Sequence, residues 1–456
     1  MSNSENDLLI SNAQILTMND SMDIYNDGFI LIKDAKIVDL GSMEQLELKY
    51  GKKVAVKEEF DARNKILFPG FVNSHGHFAM TLFRGIADDL PLKEWLNDYI
   101  WPIEGSLQGK DCLVGTKLAA IEMIQGGTTS ACDMYFHEDQ NLEALEEIGF
   151  RGILGHGMLD FGNEEKRAQE IVETEKLIKL IENKGKLCTP IISPHAPNTC
   201  SEDILLAAKN LSDEHGLPLQ IHLAETKNEF NEIKTKHKTT PTKFLSDIGF
   251  LCDQLVVAHS IWLEKEDYKL LAENDVKVAH NPTSNLKLGS GILDYNTYLT
   301  NNITLALGTD GASSNNNLSM LREIRLASLI HKGVNRNPIL LSAHEALKMA
   351  TINGASALGL SQDIGSLEIN KIADFAIIDK KASNIWPPHN PYSLIAYSAN
   401  DYNVTSTIIN GQFVMKDRQL LTVDVQTVLE EAKEVITQLI DKSNLEQFKD
   451  KIKYLK

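Results

Sequence analysis

The chain of 456 residues contains no Cys-x-x-Cys pair. Its five cysteines (Cys112, Cys132, Cys188, Cys200, Cys252) are odd in number and dispersed, which excludes a disulfide framework as the organising feature and indicates reduced thiols. Basic charge is also short: 45 Lys and Arg stand against 63 Asp and Glu, a formal net charge of −18. Polyanion binding relies on basic patches, so nucleic acid and anionic membrane are poor partners, whereas a small neutral or zwitterionic substrate is unaffected. No apolar run approaches the roughly 20 residues that a membrane span needs. The opening MSNSENDLLISN has neither a basic n-region nor an apolar h-region, so no signal peptide and a cytoplasmic location are expected.

What is present is a large core. With 43% hydrophobic and 24% charged residues, the chain is too long for one ordinary domain. A barrel body of roughly 250–350 residues plus a smaller module fits the length. Residues 8–60 carry short alternating runs (LLISNAQILTM, FILIKDAKIVDLG) with turn residues between them, and similar strands return at 365–380 and 404–415, the latter around Asn410-Gly411. Two β-rich ends flanking a different middle predict a small sheet module assembled from both termini.

From about 67 to about 360 the pattern changes. Apolar strand-like runs occur at 71–76, 128–133, 151–158, 187–194, 217–224, 255–260, 276–281 and 302–308. Amphipathic stretches at 105–125, 164–183, 201–215 and 227–248 separate several of them. Eight strands with intervening helices predict an α/β fold of the (β/α)8 TIM-barrel class. The expected division is therefore a β module from 1–66 and 361–424, a barrel from 67–360, and a helical tail from 425–456, amphipathic over 425–442.

In such a barrel the chemistry sits at the C-terminal ends of the strands. There the sequence places His75 and His77 (first strand), His195 (fourth), His222 and Glu225 (fifth), His259 (sixth) and Asp310 (eighth). His75 and His77, one residue apart in FVNSHGH, would project together from one strand face. His75, His77 and His222 offer three imidazoles and Asp310 a carboxylate, a catalytic metal set with one position left for water. Such an ion lowers the pKa of water to about 7. The fourth strand, TPIISPH, offers no lysine to be carboxylated as a bridge, so one metal is the better reading than two. Glu225 suits proton delivery beside that water, or else caps the next helix. His259 could hydrogen-bond the water, stabilise an oxyanion or sit satisfied in the core. His280 and the histidines away from strand ends are assigned no chemistry.

The motifs PGFVNSHGHF, HLAET, VVAHSIWL, AHNPTSNLKLGSG and LGTDGASSNN resemble those of the amidohydrolase superfamily, in its mononuclear deaminase and chlorohydrolase branch. GSLEINKIADFAIID extends the likeness to the terminal module. The resemblance implies a distorted barrel with a β-sandwich built from both termini, and zinc, less often iron, as the metal. MTLFRGIADDLPLKEWLNDYIWPIEGSL is similar to the 5′-methylthioadenosine/S-adenosylhomocysteine deaminase family. By that likeness Glu104 holds the ribose hydroxyls, which a carboxylate does by accepting two hydrogen bonds, and His195 lies near the nucleoside. A helix-cap acid after Pro102 is the alternative for Glu104.

The implied reaction is hydrolytic deamination of an adenosine-type nucleoside. Glu225 protonates the ring nitrogen, Asp310 takes the water's proton and His259 steadies the oxyanion. One departure bears on substrate. Family members that bind the homocysteine carboxylate carry an arginine where this chain has His156, and Arg167 is the other cation in reach of that alignment. A histidine is a weaker carboxylate partner than a guanidinium, so S-adenosylhomocysteine is the less expected substrate, and methylthioadenosine or adenosine the more. The alternatives are a guanine, cytosine or triazine hydrolase of the same branch and, more remotely, a non-catalytic assembly protein. A homo-oligomer is usual for such a family.

Overall fold

The computed structural model describes residues 6–51 and 53–442. These divide into two compact units, one from residues up to 72, 123–130 and 319–422, the other from 73–122, 131–318 and 423 onward.

The first unit is built on a nine-stranded sheet drawn from both ends of the chain. Asn6–Leu16, Ile24–Lys33, Lys36–Ser42, Val56–Asp61 and Lys65–Pro69 come from the N-terminal part; Phe375–Asp379, Val404–Ile409, Gln412–Lys416 and Gln419–Leu420 come from the C-terminal part. The two sets join where Phe375–Asp379 runs antiparallel to Lys65–Pro69. Two-residue turns close two hairpins: Asp34-Ala35 at φ +49° and +64°, and Asn410-Gly411 at +52° and +74°. Both have the positive φ pair that matches the twist of the flanking strands. Side chains alternate along the first strand. Leu8 and Ile10 pack with Ile32, Phe375 and Ile377, whereas Leu9 packs with Phe29, Leu31 and Leu46 of helix Met43–Tyr50. The sheet forks at this strand, whose Asn6–Ser11 half pairs with Val56–Asp61 and whose Gln14-Ile15 step pairs with Ile66-Leu67. The strands form one continuous sheet and not two hydrogen-bonded layers.

The parallel strands of the middle region form two further sheets. The first contains Phe71–Asn73, Thr128–Tyr135, Arg151–Met158, Thr189–Pro190 and Ser193–Pro194; the second contains Leu219–Leu223, Leu255–His259, Lys277–His280 and Leu305–Leu307. Backbone hydrogen bonds link the two sheets at both margins. Gln220 N–H donates to Ile192 and His222 N–H to His195, each at 2.9 Å, while Ser74 N–H donates to Leu307 at 2.9 Å and Asp310 N–H to His75 at 3.0 Å. Thr128–Tyr135, Leu219–Leu223 and Leu255–His259 are buried along their lengths, as parallel strands covered on both faces must be.

One expected helix is broken. The stretch 227–248 forms Lys227–His237 and Pro241–Asp247 as separate helices. Lys238 takes φ +61°, ending the first, and Thr240 starts the second by accepting from Lys243 N–H, with Pro241 in the first turn where its missing N–H costs nothing. No described helix is long and apolar enough to cross a membrane.

Helix Val425–Lys442 buries Ala432, Val435, Leu439 and Ile440 in a cluster with Trp95, Ile100, Ile103 and Leu107. The rest of the expected tail, 443–456, lies outside the described residues. Leu439 is 2% exposed. Leu439→Ala is expected to destabilise the fold by about 2–5 kcal/mol, seen as a lower urea midpoint at unchanged slope.

Candidate active site

The first strand stops at Asn73, so His75 and His77 lie beyond it and not on its pleat. Their convergence is made by the loop. Asn73 accepts Thr309 N–H at 2.9 Å and donates to Thr309 Oγ1 at 2.7 Å, Met134 N–H donates to Gly76 at 3.1 Å, and Phe78 N–H donates to Asp133 Oδ1 at 2.9 Å. His77 then leads, in extended backbone at φ −139°, into the short turn Phe78–Phe83. The rings end 4.9 Å apart, nearly perpendicular.

Three imidazoles are fixed from behind. His77 Nδ1 lies 2.7 Å from the Met134 carbonyl, and His222 Nδ1 lies 2.7 Å from the His195 carbonyl. A carbonyl oxygen only accepts, so both Nδ1 atoms carry the proton. His75 Nδ1 lies 3.4 Å from Gln220 Oε1, and Gln220 commits its amide hydrogens to the Asp133 carbonyl and Ser193 Oγ. All three Nε2 atoms therefore face inward, and those of His75 and His222 are 3.1 Å apart. A cation between them would satisfy both atoms at once. Two donors on one zinc, each about 2.0–2.1 Å from it, stand about 3.3–3.4 Å apart in a tetrahedron. The donor set fits a divalent ion.

Electrostatics divides the three: burial opposes charge on His77, but its hydrogen bond to Asp310, the Asp310 charge and the Met134 carbonyl raise it to about 9, and an ion at the site would displace that proton. Burial pushes His75 down to about 3 and His222 well below its ordinary value, so both are neutral ligands at pH 7. Asp310 Oδ1 is 3.2 Å from His77 Nε2 and 3.8 Å from His75 Nε2. Burial alone would raise Asp310, but hydrogen bonding to His77 and the surrounding imidazoles hold it well below the carboxylate range. Its other oxygen accepts from Ser284 and Ser314, and Gly311 N–H donates to Oδ1 at 2.8 Å.

Glu225 and His259 face the same point. His259 Nδ1 meets Asn285 Oδ1 at 2.7 Å, which turns Nε2 inward, 3.8 Å from Glu225 Oε2. Ser290 Oγ donates to Glu225 Oε1 at 2.9 Å, and burial raises the Glu225 carboxyl, favouring the protonated acid. Ala224, His259, Ser260 and Asp310 all adopt left-handed backbone, at φ +49°, +67°, +47° and +62°. Each such residue costs about 1–3 kcal/mol, a strain that clusters at sites where side chains must be re-aimed.

These groups open into a cavity of about 1070 Å³, which Glu104, His195, His77, His222, Glu225, His259 and Asp310 all line. Glu104 closes the short helix Trp101–Glu104 and does not cap its start. Tyr135 donates to Glu104 Oε1 at 2.7 Å, and burial raises the Glu104 carboxyl. His195 Nδ1 pairs with Thr199 Oγ1 at 2.8 Å, and burial pushes the ring down to about 4, a neutral base beside the cavity.

His156 and Arg167 do not line the cavity. On strand Arg151–Met158 side chains alternate, and Gly157 takes the inward position, so His156 points the other way to hydrogen-bond Glu170 of helix Glu164–Lys184. Arg167 is held by Asp203 at 3.0 Å, Ser201 at 3.3 Å and Asp160 at 3.5 Å. Sequence reasoning missed Gln220, Tyr135, Ser284, Ser290, Asn285, Ser314 and Glu229. Gln220 alone had a usable signal, a polar residue two before His222 on the same strand face.

Residues 66–414 match the family described as the amidohydrolase family. A Methanobrevibacter smithii protein named 5′-deoxyadenosine deaminase is 43% identical over 444 residues, covering 96% of this chain and 99% of that one. A Pyrococcus furiosus protein named 5-methylthioadenosine/S-adenosylhomocysteine deaminase is 40% identical over 424 residues, covering 92% and 100%. Among solved structures, a zinc-containing adenosine deaminase from Xanthomonas campestris superposes with a TM-score of 0.91 at 30% identity, covering 96% of this chain and 99% of that one. The fold is accordingly an α/β fold of the TIM-barrel type.

Gln220→Ala is expected to weaken zinc affinity by about 10–100-fold, measured by competition with a chromophoric chelator, because it frees the His75 ring to rotate.

Proposed function

The chain belongs to the amidohydrolase family, within its 5′-methylthioadenosine/S-adenosylhomocysteine and 5′-deoxyadenosine deaminase branch, and from that premise we propose that it releases ammonia from the 6-amino position of adenosine-type nucleosides. One observation carries the reading: three imidazole Nε2 atoms and the Asp310 carboxylate converge at one end of a cavity that also presents Glu225, His259 and the buried Glu104.

Members of the family are metal-dependent, and His75, His77, His222 and Asp310 are the residues we assign to hold one divalent ion, zinc before iron. Bound there, the ion supplies Lewis-acid activation of a water molecule. The remaining chemistry is the chain's own. Water adds at the ring carbon that bears the amino group, and Asp310 accepts its proton. Glu225, whose carboxyl burial raises, delivers a proton to the adjacent ring nitrogen. His259, with a proton on Nε2 as well as the one Nδ1 gives to Asn285, donates to the oxygen as charge develops on it. The amino group leaves as ammonia after receiving a proton from this set, and the product carries a carbonyl in its place. Glu104, with Oε1 engaged by Tyr135, has Oε2 to offer a ribose hydroxyl, and His195 lies on the same wall.

The 5′ substituent favoured by this reading is small and uncharged. His156 and Arg167 are committed to carboxylates of the chain itself, which leaves neither to pair with the carboxylate of a homocysteine group. Methylthioadenosine, 5′-deoxyadenosine and adenosine therefore stand ahead of S-adenosylhomocysteine. We further read the two parallel sheets as one distorted barrel within 67–360, supported by the hydrogen bonds at both margins, and the strands of 1–66 and 361–424 as a sandwich module curled at its forked first strand. A cytoplasmic homo-oligomer completes the proposal.

Ammonia release from 5′-methylthioadenosine, 5′-deoxyadenosine, S-adenosylhomocysteine, guanine and cytosine tests this directly. Glu225→Gln is expected to lower kcat at least 100-fold with zinc retained. Glu104→Ala is expected to raise KM for the nucleosides about tenfold or more; unchanged kcat/KM for the best substrate would instead favour a nucleobase or triazine hydrolase.

A further inference from the structure

Glu229 is the third residue of helix Lys227–His237, whose N-cap is Thr226. Thr226 behaves as an N-cap should, accepting from Glu229 N–H at 3.2 Å. A glutamate at the third position ordinarily reaches back to the N-cap residue's own N–H, completing a reciprocal pair. Glu229 does not. Its Oε1 accepts from Ala224 N–H at 2.8 Å and its Oε2 from Glu225 N–H at 2.9 Å. Two successive backbone donors thus converge on one carboxylate, the arrangement of an anion-binding nest. Such convergence needs one residue in left-handed backbone, and Ala224 takes φ +49°. On the opposite side the Ala224 carbonyl accepts from Ile261 and Trp262, at 3.1 and 3.0 Å. The peptide that launches Glu225 is gripped from both faces. Glu229 is itself buried, at 8% exposed, and forms part of the cavity wall.

We infer that Glu229 is a positioning residue for the reaction: its carboxylate fills the nest, holds Ala224 in its strained backbone and so aims the Glu225 carboxyl between Ser290 and His259. Without those two acceptor oxygens the N–H groups face one another uncompensated, and Ala224 is free to relax to an ordinary φ. Glu225 would then swing away from the reacting nitrogen, with the metal ligands untouched. A helix cap alone would affect stability and leave turnover unchanged. This inference rests on the proposed role of Glu225 as proton donor.

The test is Glu229→Gln in the zinc-loaded full chain, with 5′-methylthioadenosine as the probe. The substitution keeps the size and replaces one acceptor by an NH2 that opposes a backbone N–H. The expected result is a kcat lowered about 10–100-fold, KM within about threefold and one zinc per chain retained. A double-mutant cycle separates positioning from any other effect: in the Glu225→Gln background, read by single-turnover ammonia release, Glu229→Gln should have no further effect. The inference is overturned by a kcat within twofold of the parent, by loss of zinc, or by an undiminished effect in the Glu225→Gln background. If Glu229→Gln does not fold, Glu229→Asp, which keeps the charge and shortens its reach, takes its place with the same expected split. Full activity in Glu225→Gln itself would remove the proton-donor reading, a failure distinct from that of Glu229.

Discussion

A backbone carbonyl can accept a hydrogen bond and do nothing else, and two of them, on Met134 and His195, decide what this cavity can bind. By accepting from Nδ1 of His77 and His222 they turn both Nε2 atoms inward. Gln220 does the same for His75, its own orientation set by Asp133 and Ser193. If any of these partners were a donor, the corresponding imidazole would present a proton to the centre and repel a cation. Orientation by partners behind the ligands thus matters as much as the ligands themselves.

Placement of the remaining groups is a matter of stored strain. Parallel strands aim side chains along a fixed pleat, and that pleat alone would send Asp310 and His259 to the wrong positions. Left-handed backbone at Ala224, His259 and Asp310 breaks the pleat just past or at the strand ends. Surrounding hydrogen bonds sustain that geometry: Asp310 N–H to His75, Ser260 N–H to Leu223, and the carboxylate of Glu229 beneath Ala224. Burial then separates the two acids. Asp310, among imidazoles, is held well below the carboxylate range; Glu225 is raised by burial. One carboxylate receives a proton and the other gives one, as their proposed roles require.

How much of this was legible in the sequence follows from what periodicity can carry. The runs at 128–133, 151–158 and 255–260 overlie strands because buried parallel strands are continuous apolar segments, and a titratable residue ending such a run stands out. His222, His259 and Asp310 were readable for that reason. His75 and His77 were found by the right pattern for the wrong cause, since the loop and not the pleat brings them together. His156 was misplaced because a strand's two faces differ by one residue, and only the structure shows that Gly157 takes the inward side. Ser284, Ser290, Asn285 and Ser314 lie in loops and short turns where polar residues are ordinary. Glu229 had the spacing of a capping pair, so its sequence advertised the commonplace role and concealed the other.

The most direct measurement is to strip the protein with a chelator and titrate zinc back while following ammonia release from 5′-methylthioadenosine. A single site made by His75, His77, His222 and Asp310 predicts no turnover in the stripped protein and a linear recovery that saturates at one equivalent per chain. Turnover without metal, or saturation only at two equivalents, would contradict it.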